Sequence, residues 1–272
     1  MVIISGKPGQ LGNSLILYSN FIAFAKQYNV KIYNPSFYKY RDYFEFTSKP
    51  LSINLFIFNC LYYYTRILIK LKAKCARDLD WHEHIDLDES ADEAMLKCKR
   101  YFVQGWQYRG NKVVEQYRNE IIELFTPKKF FIKNLNVFFD ANFKDKTETI
   151  IGIHIRGGDY KTFENGKYFY SVAQYSEVIK RVAKLFSRTK INFLICSNET
   201  IEIKDFDPAL KITKGPGHEL LDMYSLSRCN YIIGPPSTYT MWASYYGNVP
   251  LYMLHEIDKD FLLNEFKIQI HF

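Results

Sequence analysis

His154, Arg156, two glycines and Asp159 follow one another in His154-Ile155-Arg156-Gly157-Gly158-Asp159, directly after the apolar run Ile150-Ile151-Gly152-Ile153. A guanidinium offers a planar fork of donors that matches phosphate oxygens. Adjacent glycines let the backbone turn sharply or approach a ligand closely. Asp159, and Glu164 five residues on, are carboxylates that could accept a proton or orient the arginine. The same residues also fit a strand ending in a polar turn, with His154 packed in the core and Arg156 in a structural ion pair.

Two further constellations could carry chemistry. Gly6-Lys7-Pro8-Gly9-Gln10-Leu11-Gly12-Asn13 is a glycine-rich turn ahead of an apolar helical pattern. It lacks the Gly-Lys-Ser/Thr ending of a P-loop and has G-x-x-G-x-x-G spacing where a dinucleotide fold has G-x-G-x-x-G. What it offers is an anion site at a helix N-terminus, where Gly12 and Asn13 would stand; Asn13 would be either the N-cap or a ligand amide. The second runs from Gly217-His218 through Asp222 to Gly234-Pro235-Pro236-Ser237-Thr238. Asp222 sits among apolar helix residues and is either on a solvated face or a ligand contact; an inward carboxylate could accept two hydrogen bonds from the edge of guanine. Ser237 and Thr238 open a helix after a strand, a position that binds phosphate or simply caps.

The elements that must hold these groups alternate. Val2–Ser5 reads as a strand, Ser14–Tyr28 as a helix and Val30–Tyr33 as a strand, a β-loop-α-β unit that favours a parallel sheet. An apolar helix is expected near 53–72, a strand at Tyr101–Gln104 and a helix at Lys112–Phe125 that Pro127 stops. The polar stretch 142–149 is the expected linker between domains 1–145 and 146–272. Beyond it the pattern gives strand 150–156, helix 172–187, strand 191–197, helix 218–228, strand 231–234, helix 237–246 and strand 250–254. Strand, helix and strand in regular turn is doubly wound grammar.

The 272 residues carry a net charge of +7, which invites an anionic partner, yet the basic residues form no single stripe and a nucleic-acid partner is not expected. Five cysteines with no C-x-x-C spacing fit free thiols in a reducing compartment. His82-Glu83-His84 with Asp86 matches no ligand spacing, so no metal site is assigned. The segment Leu51–Ile69 contains Asn54, Asn59 and Arg66 and is too polar for a span of ~20 residues. With Lys70, Lys72 and Lys74 it suits peripheral contact with a membrane.

In order along the chain, Gly9-Gln10-Leu11-Gly12-Asn13, Tyr101–Tyr108, His154–Tyr160, Ile195-Cys196-Ser197-Asn198 and Leu221-Asp222 through Ser237-Thr238 resemble the fucosyltransferases with an H-x-R-x-x-D motif, most closely the α-1,2-fucosyltransferases of glycosyltransferase family 11. The resemblance implies an α/β, GT-B-like fold of two Rossmann-type halves with largely parallel sheets facing a cleft. It implies inverting, metal-independent transfer of fucose from GDP-fucose to a galactose-type hydroxyl of an oligosaccharide or glycolipid, with no cofactor beyond the donor. Carried over, Arg156 would grip the β-phosphate, His154 would sit near guanine or ribose, Asp222 would read the guanine edge, and Ser237 and Thr238 would hold the diphosphate with Gly12 and Asn13 closing. Glu164 is the first candidate for the base and Asp159 the second, Asp159 being better suited to orienting Arg156. The family commonly has two adjacent arginines, and this chain departs from it with Gly157. A transferase using another nucleotide sugar and a non-catalytic nucleotide- or glycan-binding protein are the alternatives. With the glycine-rich loop beginning at residue 6, no stem or anchor is expected before the domain, and the expected location is the cytoplasm or the inner membrane face.

Overall fold

The computed structural model describes residues 1–48, 53–80, 82–88 and 93–269. Leu51 and the acidic stretch at 89–92 lie outside the described residues. The chain divides into two compact units, Met1–Lys129 and Phe130–Gln269.

In the first unit the elements are β1 (Val2–Ile4), α1 (Leu11–Tyr28), β2 (Ile32–Tyr33), α2 (Glu45–Ser48), α3 (Leu55–Lys70), β3 (Ala76–Arg77), β4 (Ile85–Asp86), α4 (Glu93–Lys97), β5 (Tyr101–Val103), β6 (Tyr108–Arg109), α5 (Asn111–Gln116) and α6 (Arg118–Leu124). Strands pair in the order β2-β1-β5-β3, all parallel, and β4 pairs with β6. Helix α1 is buried nearly all round, from Leu11 to Phe24 apart from Asn13, so it is the core helix of this unit. It begins three residues before the expected Ser14, because Gln10 is extended and its carbonyl already accepts from the Ser14 amide at 3.0 Å. Packing outweighs the poor helix propensity of Gly12. The single helix expected at 112–125 is two, α5 and α6, abutting at Tyr117.

The second unit contains α7 (Lys129–Asn142, all but its first residue), β7 (Thr149–Ile155), α8 (Val172–Leu185), β8 (Ile191–Ser197), β9 (Ile212–Lys214), α9 (Glu219–Leu226), β10 (Tyr231–Gly234), α10 (Thr238–Gly247) and β11 (Leu251–Met253). The sheet order is β11-β10-β7-β8-β9, every pair parallel. Strand β7 is central and buried on both faces over Ile151–Ile155, as its continuous apolar run requires. Gly152 has a packing reason: a Cβ there would meet Leu226 Cδ2 at 2.6 Å, so α9 lies close on the strand. Helix α8 opens with a capping box in which Ser171 and Gln174 each accept from the other's backbone. It buries Tyr175, Val178, Ile179 and Val182, the i, i+3, i+4, i+7 face that packs on the sheet. Helix α7 has an apolar face of Phe131, Ile132, Leu135, Phe138 and Phe139, with Lys129, Lys133, Asn136 and Asp140 together on another side and Phe130 and Val137 exposed at the margin.

Candidate functional site

From β7 the chain builds outward through β8 and β9 on one side, then returns to lay down β10 and β11 on the other. The strand order reverses between β7 and β10, and ligands of open α/β sheets bind outside the carboxyl ends at such a point. Three segments emerge there: Arg156–Tyr160 after β7, Asn198-Glu199 after β8 and Pro235–Thr238 after β10.

Arg156 is largely buried, and its fork is taken up by one carboxylate. Nε donates to Asp159 Oδ1 at 3.0 Å and Nη2 to Oδ2 at 2.8 Å, while the guanidinium carbon lies 5.1 Å from the centre of the Tyr160 ring. A bidentate charge-assisted pair fixes the plane of the guanidinium as well as its position. Asp159 is about half exposed, so the pair meets solvent on that side. The carboxylate thus holds the guanidinium in one orientation.

The glycine turn is clamped by the end of β8. Gly157 N–H donates to Asn198 Oδ1 at 2.9 Å and Gly158 N–H to Glu199 Oε1 at 2.8 Å. Lys161 Nζ approaches the same Glu199 oxygen at 2.9 Å, and these donors hold the Glu199 carboxyl below its usual range, led by the Gly158 amide. A Cβ on Gly157 would fall 2.1 Å from the Glu199 carboxyl carbon. The Glu199 carboxylate therefore lies beside Gly157, and as an exposed side chain it would have to swing aside for any larger residue there. Gly158 adopts φ +53°, in the left-handed region that favours glycine.

His154 is only 3% exposed, and its ring stacks on Tyr239 with centroids 4.8 Å apart. Burial, then the positive charge of Arg156, lowers its pKa to about 3, so the imidazole is neutral, and Nδ1 has no hydrogen-bond partner. Ser237 caps α10, its Oγ accepting from the Tyr239 amide at 3.2 Å, and Thr238 is the first residue of that helix. Tyr160 reaches the same corner, donating from its hydroxyl to the Pro236 carbonyl at 2.5 Å. An N-terminus on a helix of 10 residues, beside an oriented guanidinium, can take an oxyanion.

Asp222 is not on a solvated face: it is 6% exposed, and Oδ1 accepts from the Gly217 amide at 2.9 Å. Burial raises its pKa to about 6, with the Gly217 and His218 amides working in the opposite direction. It braces the loop before α9 closely enough that a Cβ on Gly215 would sit 2.9 Å from Oδ1. Glu164 is exposed in the short turn after Tyr160, at φ 46° and followed by Asn165 at 59° and Gly166 at 76°. Consecutive left-handed residues store strain, which is common at functional turns. The Glu164 charge acts on the Tyr160 hydroxyl, so this carboxylate belongs to the same neighbourhood.

In the first unit, Gly12 and Asn13 lie in the opening turn of α1, so Asn13 is not the N-cap; Gln10 occupies that position. The Asn13 amide packs on Gly9, whose φ is +100° and whose added Cβ would fall 2.9 Å from Asn13 Nδ2. Asn198, Glu199, Lys161, Tyr160 and Tyr239 were not among the expected site residues. For Asn198 and Glu199 the signal was available, since they follow directly on a buried strand. Four Asp-x-Asp pairs occur, at 78/80, 86/88, 205/207 and 258/260, but among the described residues no group of three or more His, Cys, Asp or Glu is placed to hold a metal ion. Three contain an aspartate with a local duty: Asp78 pairs with Arg66, Asp88 accepts from the Lys112 and Val113 amides, and Asp207 from that of Ala209.

The family model described as Glycosyl transferase family 11 matches residues 78–265. No curated protein matches the chain in sequence. Among solved structures, a mutant of Arabidopsis thaliana FUT1 in complex with GDP superposes with a TM-score of 0.58 at 12% identity, over 93% of this chain and 70% of that one. NodZ α-1,6-fucosyltransferase soaked with GDP-fucose gives 0.54 at 14% identity, over 97% of this chain and 96% of its own; a NodZ structure from Bradyrhizobium gives 0.55 at 13%, over 93% and 94%. POFUT1 in complex with GDP gives 0.54 at 11% identity, over 90% and 93%. At these identities the likeness is one of fold: parallel α/β sheets in two bodies.

Two outcomes are expected. Gly157→Ala should displace the exposed Glu199 carboxylate from the Gly158 amide and lower unfolding free energy by about 1 kcal/mol or less, and the loss should vanish in a Glu199→Ala background; a urea double-mutant cycle measures the coupling. For Asp222 the folded pKa lies above the ordinary 3.8, so its protonated form stabilises the fold below that value and the contribution is lost as pH rises through about 6. Relative to Asp222→Asn, the parent chain should gain about 1 kcal/mol between pH 7.5 and pH 5 in urea unfolding; an equal slope in both proteins would refute the shift.

Proposed function

The chain belongs to glycosyl transferase family 11, and from that membership we propose that it transfers fucose from GDP-fucose, with inversion and without a metal, to a galactose-type hydroxyl of an oligosaccharide or glycolipid. The observation that carries the donor assignment is the Arg156–Asp159 pair beside the capped start of α10, at the switch point of a parallel sheet. Support also comes from the named partners of its structural neighbours, which are GDP for FUT1 and POFUT1 and GDP-fucose for NodZ.

In this reading the acceptor oxygen forms a bond to the fucose anomeric carbon as the bond from that carbon to the β-phosphate oxygen breaks. GDP leaves with the electron pair, and a base takes the hydroxyl proton. Arg156 and the amides opening α10, with Ser237 and Thr238, would stabilise the charge growing on the diphosphate. With one arginine and Gly157 after it, a single side-chain fork in this motif serves that purpose. Lys161, held by Glu199, stands beside the turn as a further cation. His154 would contribute by stacking on Tyr239 and so steadying the start of α10.

Asp222 would read guanine as a carboxylate, accepting from the base while Oδ1 keeps the Gly217 amide. Because its pKa in the unliganded chain is about 6, guanine binding near that pH should expel a proton. Glu164 is the proposed base: it is exposed beside Tyr160, whereas Asp159 is engaged on Arg156.

Isothermal titration should give binding of GDP and none of UDP, with proton release at pH 6 that disappears in Asp222→Asn. Equal affinity for the two nucleotides would remove the guanine assignment and favour another nucleotide sugar. Incubation with GDP-fucose and a panel of galactosides, read by mass spectrometry, tests transfer itself. Glu164→Gln should lower turnover by ~10²-fold or more with GDP affinity unchanged. Turnover near that of the parent would transfer the role of base to Asp159.

A further inference from the structure

We propose that the outer face of α3, with the basic segment that follows it, docks on the surface of an anionic lipid bilayer. The inner face of the helix is already committed. Phe58 and Thr65 are buried, Thr65 Oγ1 lies 2.8 Å from Ser5 Oγ, and the Tyr62 carbonyl accepts from Gln104 Nε2 at 3.0 Å. Asn54 caps the start, its Oδ1 accepting from the Ile57 amide at 2.9 Å. The outer face carries Phe56 (76% exposed), Tyr63, Ile67 and, just past the helix, Leu71 (71% exposed). At 100° per residue the first three, with Lys70, fall within about 60° of one another, so the apolar side chains form one stripe. A helix with one exposed apolar stripe suits a docking surface.

Charge identifies what docks there. From Ile53 to Arg77 the sequence has five cations (Arg66, Lys70, Lys72, Lys74 and Arg77) and no carboxylate. Arg66 is ion-paired, 3.7 Å from Asp78. Lys72 turns the chain at φ 53°, and the exposed Lys70, Lys72 and Lys74 cluster at the end of the apolar stripe. An anionic lipid surface satisfies both halves, with rings and aliphatic side chains entering the headgroup boundary and lysines beside the phosphates. The two tyrosines Tyr63 and Tyr64, both exposed, are side chains favoured at that boundary. The helix has 16 residues and is about 24 Å long, short of the ~30 Å hydrocarbon core, so it lies on the surface. Among the described residues no helix is long and apolar enough to cross a membrane.

Sedimentation of the full chain with vesicles tests this without reference to transferase activity. The chain should bind vesicles of phosphatidylcholine mixed with phosphatidylglycerol, release them as salt rises, and ignore phosphatidylcholine alone. Phe56→Ser with Ile67→Ser should weaken binding roughly tenfold or more. Lys70→Gln, Lys72→Gln and Lys74→Gln should each cost roughly fivefold. All five side chains being exposed, thermal midpoints should stay at the parent value and exclude misfolding as the cause. Absence of binding, equal binding to the two lipid mixtures, or variants that bind like the parent would overturn the proposal. Concentration-dependent dimerisation abolished by Phe56→Ser would also overturn it and assign the face to a second copy.

Discussion

Strand β7 is hydrogen-bonded along both edges and buried on both faces, and the candidate donor site depends on that double constraint. Its register with β8 runs without a break from Thr149 opposite Ile191 to Ile155 opposite Ser197. The first residues past the sheet on each strand are therefore neighbours, which brings the Gly157 amide to Asn198 and the Gly158 amide to Glu199. On the other edge, β10 pairs with Ile151–Ile153 and ends at Gly234, where an added Cβ would press on the His154 side chain at 3.0 Å. A chain that leaves a sheet so tightly enclosed has to turn at once, and two glycines allow it.

The charges around this turn are largely compensated among themselves. Arg156 is held by Asp159 and Lys161 by Glu199, His154 is neutral, and Asp222 sits near its midpoint at about pH 6. Compensation keeps a largely buried guanidinium from bearing an unpaired desolvation cost. Under the proposed function a diphosphate would share Arg156 with Asp159, and the half-exposed carboxylate could yield to solvent as it did so. Preorganised charge of this kind is how an active site stabilises a leaving group without reorganising during the reaction. The proposed lipid face lies on α3 in the first unit and draws on none of these residues, so the two readings stand or fall separately.

Much of this was legible in the sequence where burial leaves a periodic or continuous apolar trace. The parallel sheet of the second unit follows from apolar strands alternating with helical patterns, and β8 and β10 fall at the residues their patterns mark. Four of the five ordered motifs fall within the residues that match family 11, and they were visible because the groups that terminate these strands are short and adjacent in sequence. The capping role of Ser237 could be read from its place between a strand and a helix. Helix α7 was legible in the spacing of Phe131, Leu135, Phe138 and Phe139 but was not among the expected elements. The early start of α1 had no such trace: glycine and asparagine favour loops locally, and only burial against the rest of the unit draws them into a helix.

What the sequence determined by itself is the order of buried strands and the chemical kinds of side chain at their ends, since both are local properties of the chain. The His154–Asp159 segment could be recognised as chemistry-bearing on that basis. Only the tertiary structure decided which of those side chains are partners. Glu199 lies 42 positions from Gly157 in sequence, yet its carboxylate stands beside that glycine and accepts from the next amide. Asp222 carries no mark in its own helix of the Gly217 amide it holds or of the burial that raises its pKa. Contacts of this range are set by sheet register and by the close approach of helices to it, and a local pattern contains neither.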